Sequence, residues 1–141
     1  MIDNTTQGIV SVWIGTSTQS LEDFNRYTEG METAGSGCPA HKDFGCDFID
    51  SDFFVAYGTA GNEIVPVEAL VEEVDVSSNE AADAIVARCH ELGIESGNSL
   101  YYWSNCTFNE EVPGRLYNEL RFIGAFDDGS RKKQKKQKKK K

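Results

Sequence analysis

The chain has 141 residues, 39% of them hydrophobic and 11% aromatic, which fits one globular domain with a single core and excludes a disordered chain. No apolar run approaches the ~20 residues of a membrane helix, and Met1 to Gln7 lacks the basic start and apolar centre of a signal peptide, so a cytoplasmic protein is expected. The net charge of −9 hides a division: nine of the 14 Lys and Arg residues lie between Arg131 and Lys141, leaving five against 23 acidic residues and a body of charge −18.

Taken in chain order, Gly8 to Gly15 is short, apolar, β-branched and bounded by glycines, and reads as a buried strand. Ser20 opens a helix, with Asp23 three residues on as a variant of the capping box, ending near Gly30. Gly30 to Lys42 reads as a loop, because Gly35-Ser36-Gly37 and Cys38-Pro39 break both periodicities. Asp43 to Tyr57 interleaves aromatics with carboxylates. Its apolar members, Phe48, Phe53, Phe54, Val55 and Tyr57, are candidates for the core, and Phe53 to Tyr57 for a second strand. Its four aspartates must face water or a cationic partner, since burying them unpaired is costly.

Pro66 suits the start of a helix whose apolar stripe is Val67, Leu70, Val71 and Val74. Glu68, Glu72, Glu73 and Asp75 fill the remaining positions. The like-charge pair Glu68/Glu72 costs roughly 0.2–0.5 kcal/mol in an isolated helix. A helix that tolerates such crowding is either a solvated face or one that uses its charge. Ser77 to Glu80 opens a longer helix to about Leu92, with Ala82, Ile85, Val86, Cys89 and Leu92 inward and Gly93 as its stop. Ser99 to Phe108 reads as a strand, Pro113-Gly114 as a turn, and Leu116 to Phe126 as the last strand, with Leu116, Leu120, Phe122 and Phe126 on one side. The expected fold is a single α+β domain, a mostly antiparallel sheet packed by helices in the order β-α-β-α-α-β-β.

The domain is expected to span residues 1–128. Residues 129–141 begin Gly-Ser and continue with Arg, Lys and Gln alone, a like-charged run that repels itself and stays disordered. It reads as an added tag. A native arm for nucleic acid or acidic membrane, and a tail folded back on the acidic body, are the alternatives.

Motifs for chemistry are weak. Cys38, His41 and Cys46, with Cys89-His90, include metal-ligand types but no CxxC and no standard zinc spacing. The four cysteines are expected as free thiols, with Cys89 in the core and His90 on the surface. Asp43-Phe44-Gly45 copies a kinase tripeptide without the glycine-rich loop or Lys/Glu pair that would support it. Asp47, Asp50 and Asp52 lack the glycine and glutamate of a calcium loop. No convincing nucleophile motif accompanies the two histidines, so no enzyme and no cofactor are expected.

Val10 to Gly15, Asp43-Phe44-Gly45 followed by Asp50-Ser51-Asp52-Phe53, and Phe122 to Asp127 occur in this order. In these segments the chain resembles the immunity protein 22 family of bacterial polymorphic toxin systems, over about residues 8 to 128. The resemblance implies a non-catalytic protein that neutralises a cognate toxin by direct binding. Many such toxins attack nucleic acid, and a nuclease needs a basic cleft for phosphate, which an acidic inhibitor can fill. The candidate contact residues are Asp47, Asp50, Asp52, Glu68, Glu72, Glu73 and Asp75 for charge, with Tyr101 and Trp103 as aromatic anchors, a place in the core being the alternative for either. The acidic domain itself is not expected to bind nucleic acid or membrane. The other reading is a metal-binding module or metal-dependent hydrolase using Cys38, His41 and the nearby aspartates.

Overall fold

The computed structural model describes residues 2–3, 7–76 and 78–127. The expected boundary at 128 and the Lys-rich segment lie outside them. The elements in chain order are β1 (Ile2–Asp3), β2 (Ile9–Gly15), α1 (Leu21–Arg26), α2 (Pro39–Phe44), β3 (Phe54–Gly58), β4 (Val65–Pro66), α3 (Val67–Val71), α4 (Asn79–Glu91), β5 (Ser96–Gly97), β6 (Ser99–Ser104), β7 (Thr107–Phe108), β8 (Leu116–Tyr117) and β9 (Leu120–Asp127). The α+β architecture and the main order β-α-β-α-α-β-β are those expected, with α2 and several two-residue strands added.

Five strands form an antiparallel sheet in the order β3-β6-β2-β9-β8. The central strand β2 has both faces covered, as its near-continuous apolar sequence requires. The two-residue side-chain period divides it cleanly. Val10, Val12 and Ile14 pack against α3 and α4, together with Leu100, Tyr102 and Ile123. Trp13 points the other way, into an aromatic core with Phe24, Tyr27, Phe44, Phe54, Tyr101, Trp103, Phe108 and Tyr117.

The last strand does not keep one face. The register of β2 on β9 shifts between Val12 and Trp13, so Ile123 is an extra residue opposite them. Gly124 absorbs the bulge at φ +148°, a value disfavoured for a side chain. The consequence is a change of side. Phe122 faces the aromatic core, whereas Ile123 and Phe126 both pack on the helix side. The expected alignment of Phe126 with Leu120 and Phe122 is thereby corrected. The expected single strand from Leu116 is also two strands, joined by Asn118 and Glu119 at φ +54° and +73°, a two-residue hairpin turn of the type whose twist suits its strands.

Helix ends follow side-chain chemistry. Ser20 Oγ accepts from Asp23 N at 3.1 Å, and Ser78 Oγ from Ala81 N at 3.1 Å. Helix α4 stops at Gly93, φ +80°, where Gly93 N donates to His90 O and Ile94 N to Cys89 O, a Schellman closure. Helix α1 ends at Arg26 rather than near Gly30, continuing as i→i+3 turns through Glu29. Helix α2 lies where a loop was expected. Its signals are Pro39 at the first position and Gly45 in the left-handed C-cap, φ +76°.

Candidate functional site

Of the aromatic residues expected in the core, Phe54 is buried and Tyr57 packs at its edge, but four other aromatic expectations are reversed or unmet. Phe48 and Phe53, read as core, are 45% and 43% exposed, while Ile49 and Phe44 fill the interior between α2 and the sheet. Tyr101 and Trp103, read as partner anchors, are 0% and 3% exposed. Tyr101 stacks on Phe24 and Tyr27, and its hydroxyl accepts from Asn118 Nδ2 at 2.7 Å. Trp103 packs edge-on against Phe44 and Phe54. Both lie on the aromatic-core face of β6, an interior strand between β3 and β2 that is covered on both sides, so a partner cannot reach them in the folded protein.

The candidate carboxylates separate into two groups on opposite faces of the sheet. The segment holding Asp47, Asp50 and Asp52 lies over the aromatic core, fixed by buried Ile49, whose N–H donates to Met31 O at 2.8 Å. Within it Asp50 Oδ1 accepts from Asp52 N at 2.9 Å and Glu32 Oε2 from Ser51 N at 2.9 Å. Asp50 therefore shapes its own turn, while Asp47 and Asp52 are exposed. Glu68, Glu72, Glu73 and Asp75 lie across the sheet, on α3 and the turn after it, and all four are exposed.

Helix α3 and helix α4 enclose a surface groove of about 460 Å³. Its floor is Val71, Ala82, Val86 and Ala87, and its walls carry Glu68, Glu72, Asp83 and His90. The sequence reading placed two of these carboxylates and missed Asp83 and His90 as their neighbours. A signal existed: the apolar arc of α4 is wider than the stripe Ala81, Ile85 and Cys89 that it buries, and the surplus, Ala82 and Val86, becomes groove floor. His90 closes one end. Its Nε2 lies 3.0 Å from Glu68 Oε2 and its Nδ1 2.8 Å from Glu95 Oε1. Hydrogen bonds to Glu68, then to Glu95, raise its pKa above the ordinary 6.5. The Glu68 carboxyl is lowered in turn, by its own backbone N–H and by His90.

A polar cluster at one end of the sheet looks like a site but is fully engaged in holding the fold. Glu119 accepts from Thr18 N at 2.9 Å and from the hydroxyls of Ser17 and Thr18 at 3.0 Å, which keeps its carboxyl below the usual range. Asn98 Oδ1 accepts from Ser17 N at 2.8 Å, and Asn98 Nδ2 donates to Ser17 O at 3.0 Å. These bonds staple the chain after β2 to the β8–β9 turn and to Asn98, between β5 and β6.

The metal-binding alternative has no geometric support. Cys38 Sγ donates to Tyr27 O at 3.2 Å, and buried His41 places Nε2 2.8 Å from Met31 O. Among the described residues no group of three or more His, Cys, Asp or Glu is placed to hold a metal ion. All four cysteines are free thiols.

The family model described as Immunity protein 22 matches residues 10–127. The chain belongs to the Immunity protein 22 family. The match runs from the second residue of β2 to the end of β9 and so takes in nearly all of the five-stranded sheet and the α3–α4 groove. Neither a search of curated proteins nor one of solved structures found a match. A toxin-neutralising role and a cognate toxin partner follow from membership of an immunity-protein family. Among the described residues no helix is long and apolar enough to cross a membrane.

Proposed function

We propose that this protein neutralises a basic toxin, a nuclease, by laying an acidic surface over the cleft that binds nucleic-acid phosphate. The observation that carries the reading is the charge of −18 on the body of a chain in an immunity-protein family. Part of that charge stands on Asp47 and Asp52 and on Glu68, Glu72, Glu73 and Asp75 of α3 and the turn after it, all exposed; of these, Glu68 meets His90.

A nuclease must concentrate positive potential where it holds phosphate. A surface of opposite sign is drawn to the same place, with association rates toward ~10⁸–10⁹ M⁻¹s⁻¹ at low salt. Binding occludes the substrate without any chemistry by the inhibitor. The protein acts in the cytoplasm of the cell that makes it, where the toxin would otherwise reach nucleic acid.

The test uses the toxin encoded by the gene adjacent to that of this chain. Its cleavage of DNA and RNA is followed with increasing full-length protein. Loss of cleavage at equimolar protein is expected. Cleavage that persists in the presence of the stable complex would contradict occlusion of the active site.

A further inference from the structure

The groove between α3 and α4 supports a narrower statement, which rests on the nuclease-toxin reading above. We infer that this groove is the toxin-docking surface, and that it receives an apolar side chain of the toxin flanked by Lys or Arg.

Two features of different chemistry meet there. The floor is apolar and open to solvent: Val71, Ala82, Val86 and Ala87 leave an uncovered depression of about 460 Å³ over the helix-side core. Ala82 and Ala87 are small, so the space is shaped for a side chain supplied from outside. Both walls carry carboxylates, Glu72 at the C-cap of α3 and Asp83 from α4, with Glu68 of α3 partly engaged by His90. The two cationic arginines nearest in sequence are committed elsewhere: Arg88 pairs with Glu91 and reaches Ile123 O on β9, and Arg115 pairs with Asp43 on the other face of the sheet. An apolar floor between acidic walls matches a segment whose apolar residue sits between cations three or four positions away on a helix. The same walls exclude an acidic segment and give an uncharged one no steering.

The 47–52 segment fits less well. Asp50 is used by its own turn, and Ser51 N by Glu32. Phe48 in this segment and Phe53 beside it are half-exposed aromatics. An apolar contact in a desolvated centre, ringed by charge, is where interface energy concentrates.

The test measures binding of the full chain to the toxin encoded beside it, by surface plasmon resonance at low and moderate salt. Ala87→Trp fills the groove from an exposed position, and Glu72→Lys reverses one wall. Asp47→Lys with Asp52→Lys, and Phe48→Ala, alter the other face. All variants are checked for an unchanged unfolding transition. The inference expects Ala87→Trp to raise Kd by about tenfold or more, mainly through faster dissociation. Glu72→Lys should slow association several-fold at low salt, whereas Asp47→Lys with Asp52→Lys should act on association alone and, like Phe48→Ala, leave the dissociation rate near wild type. Faster dissociation confined to the 47–52 variants would overturn the groove while leaving charge-complementary neutralisation standing. Unchanged binding in every variant would overturn both.

Discussion

His90 Nε2 lies 3.0 Å from Glu68 Oε2, tying the last turn of α4 to the first turn of α3 across the groove. The imidazole is held on its other side by Glu95, so its protonated form is favoured in the folded state over the unfolded one. A raised folded pKa stabilises below the unfolded value, and that contribution disappears as pH rises through the folded value. The Glu68 contribution has the opposite sense and is lost in acid, as pH falls through its lowered pKa.

The stability difference between the wild type and His90→Gln is therefore larger at about pH 6 than at about pH 9. Calorimetric Tm values measured across this range check it, with the imidazole titration followed by NMR. A difference that grows toward alkaline pH would show that His90 is not held by these carboxylates.

Tyr101 and Trp103 are structural. Tyr101→Ala should cost about 3–5 kcal/mol in urea unfolding, as for other large aromatics cut to alanine. Tyr101→Phe keeps the stack on Phe24 and Tyr27 but removes the acceptor of Asn118 Nδ2, and should cost about 1 kcal/mol. A Tyr101→Ala variant of wild-type stability would contradict the burial described here.

Gly97 and Gly15 meet at one end of the sheet. A Cβ on Gly97 would lie 2.6 Å from Gly15 O, a backbone atom that cannot step aside, whereas a Cβ on Gly58 meets nothing closer than 3.8 Å. Gly97→Ala should destabilise by about 1–3 kcal/mol. Gly58→Ala should be tolerated in the same denaturant series, and equal effects at the two positions would refute the close approach.

The longer strands and the helices α1, α3 and α4 were readable because their signals are local. Ser20, Ser78 and Gly93 mark helix ends by hydrogen bonds within a few residues of themselves, and β2 announces burial by its apolar run. Aromatic placement was not readable in this way. Phe48 and Phe53 fell outside and Phe44 inside because the six-residue helix α2, with no side-chain cap at Cys38, reset the phase of the chain ahead of them. Phe126 changed face through a one-residue bulge at Ile123 and Gly124, and a slip of one residue reverses every later side chain. The acidic residues were identifiable individually, but their division between two faces depends on chain crossings that composition does not encode. The groove needed α3 and α4 to be placed side by side before Asp83 could join Glu68 and Glu72.

Thiol reactivity should follow burial. Burial pushes the Cys89 thiol up to about 11 and Cys106 to about 12, so both resist alkylation in the folded protein at neutral pH. Half-buried Cys46 should be modified before either of them. Mass spectrometry of partly alkylated protein gives the order, and labelling of Cys106 ahead of Cys46 would contradict it.

The central claim is that opposite charge brings this protein to its toxin, and stopped-flow association of the two as a function of salt tests it most directly. The account predicts that the association rate constant falls by about tenfold or more between roughly 10 mM and 150 mM salt, as the Debye length shrinks from about 30 Å to 8 Å, while dissociation changes little. An association rate indifferent to salt would mean that the acidic surface does not guide the encounter, and would contradict the account.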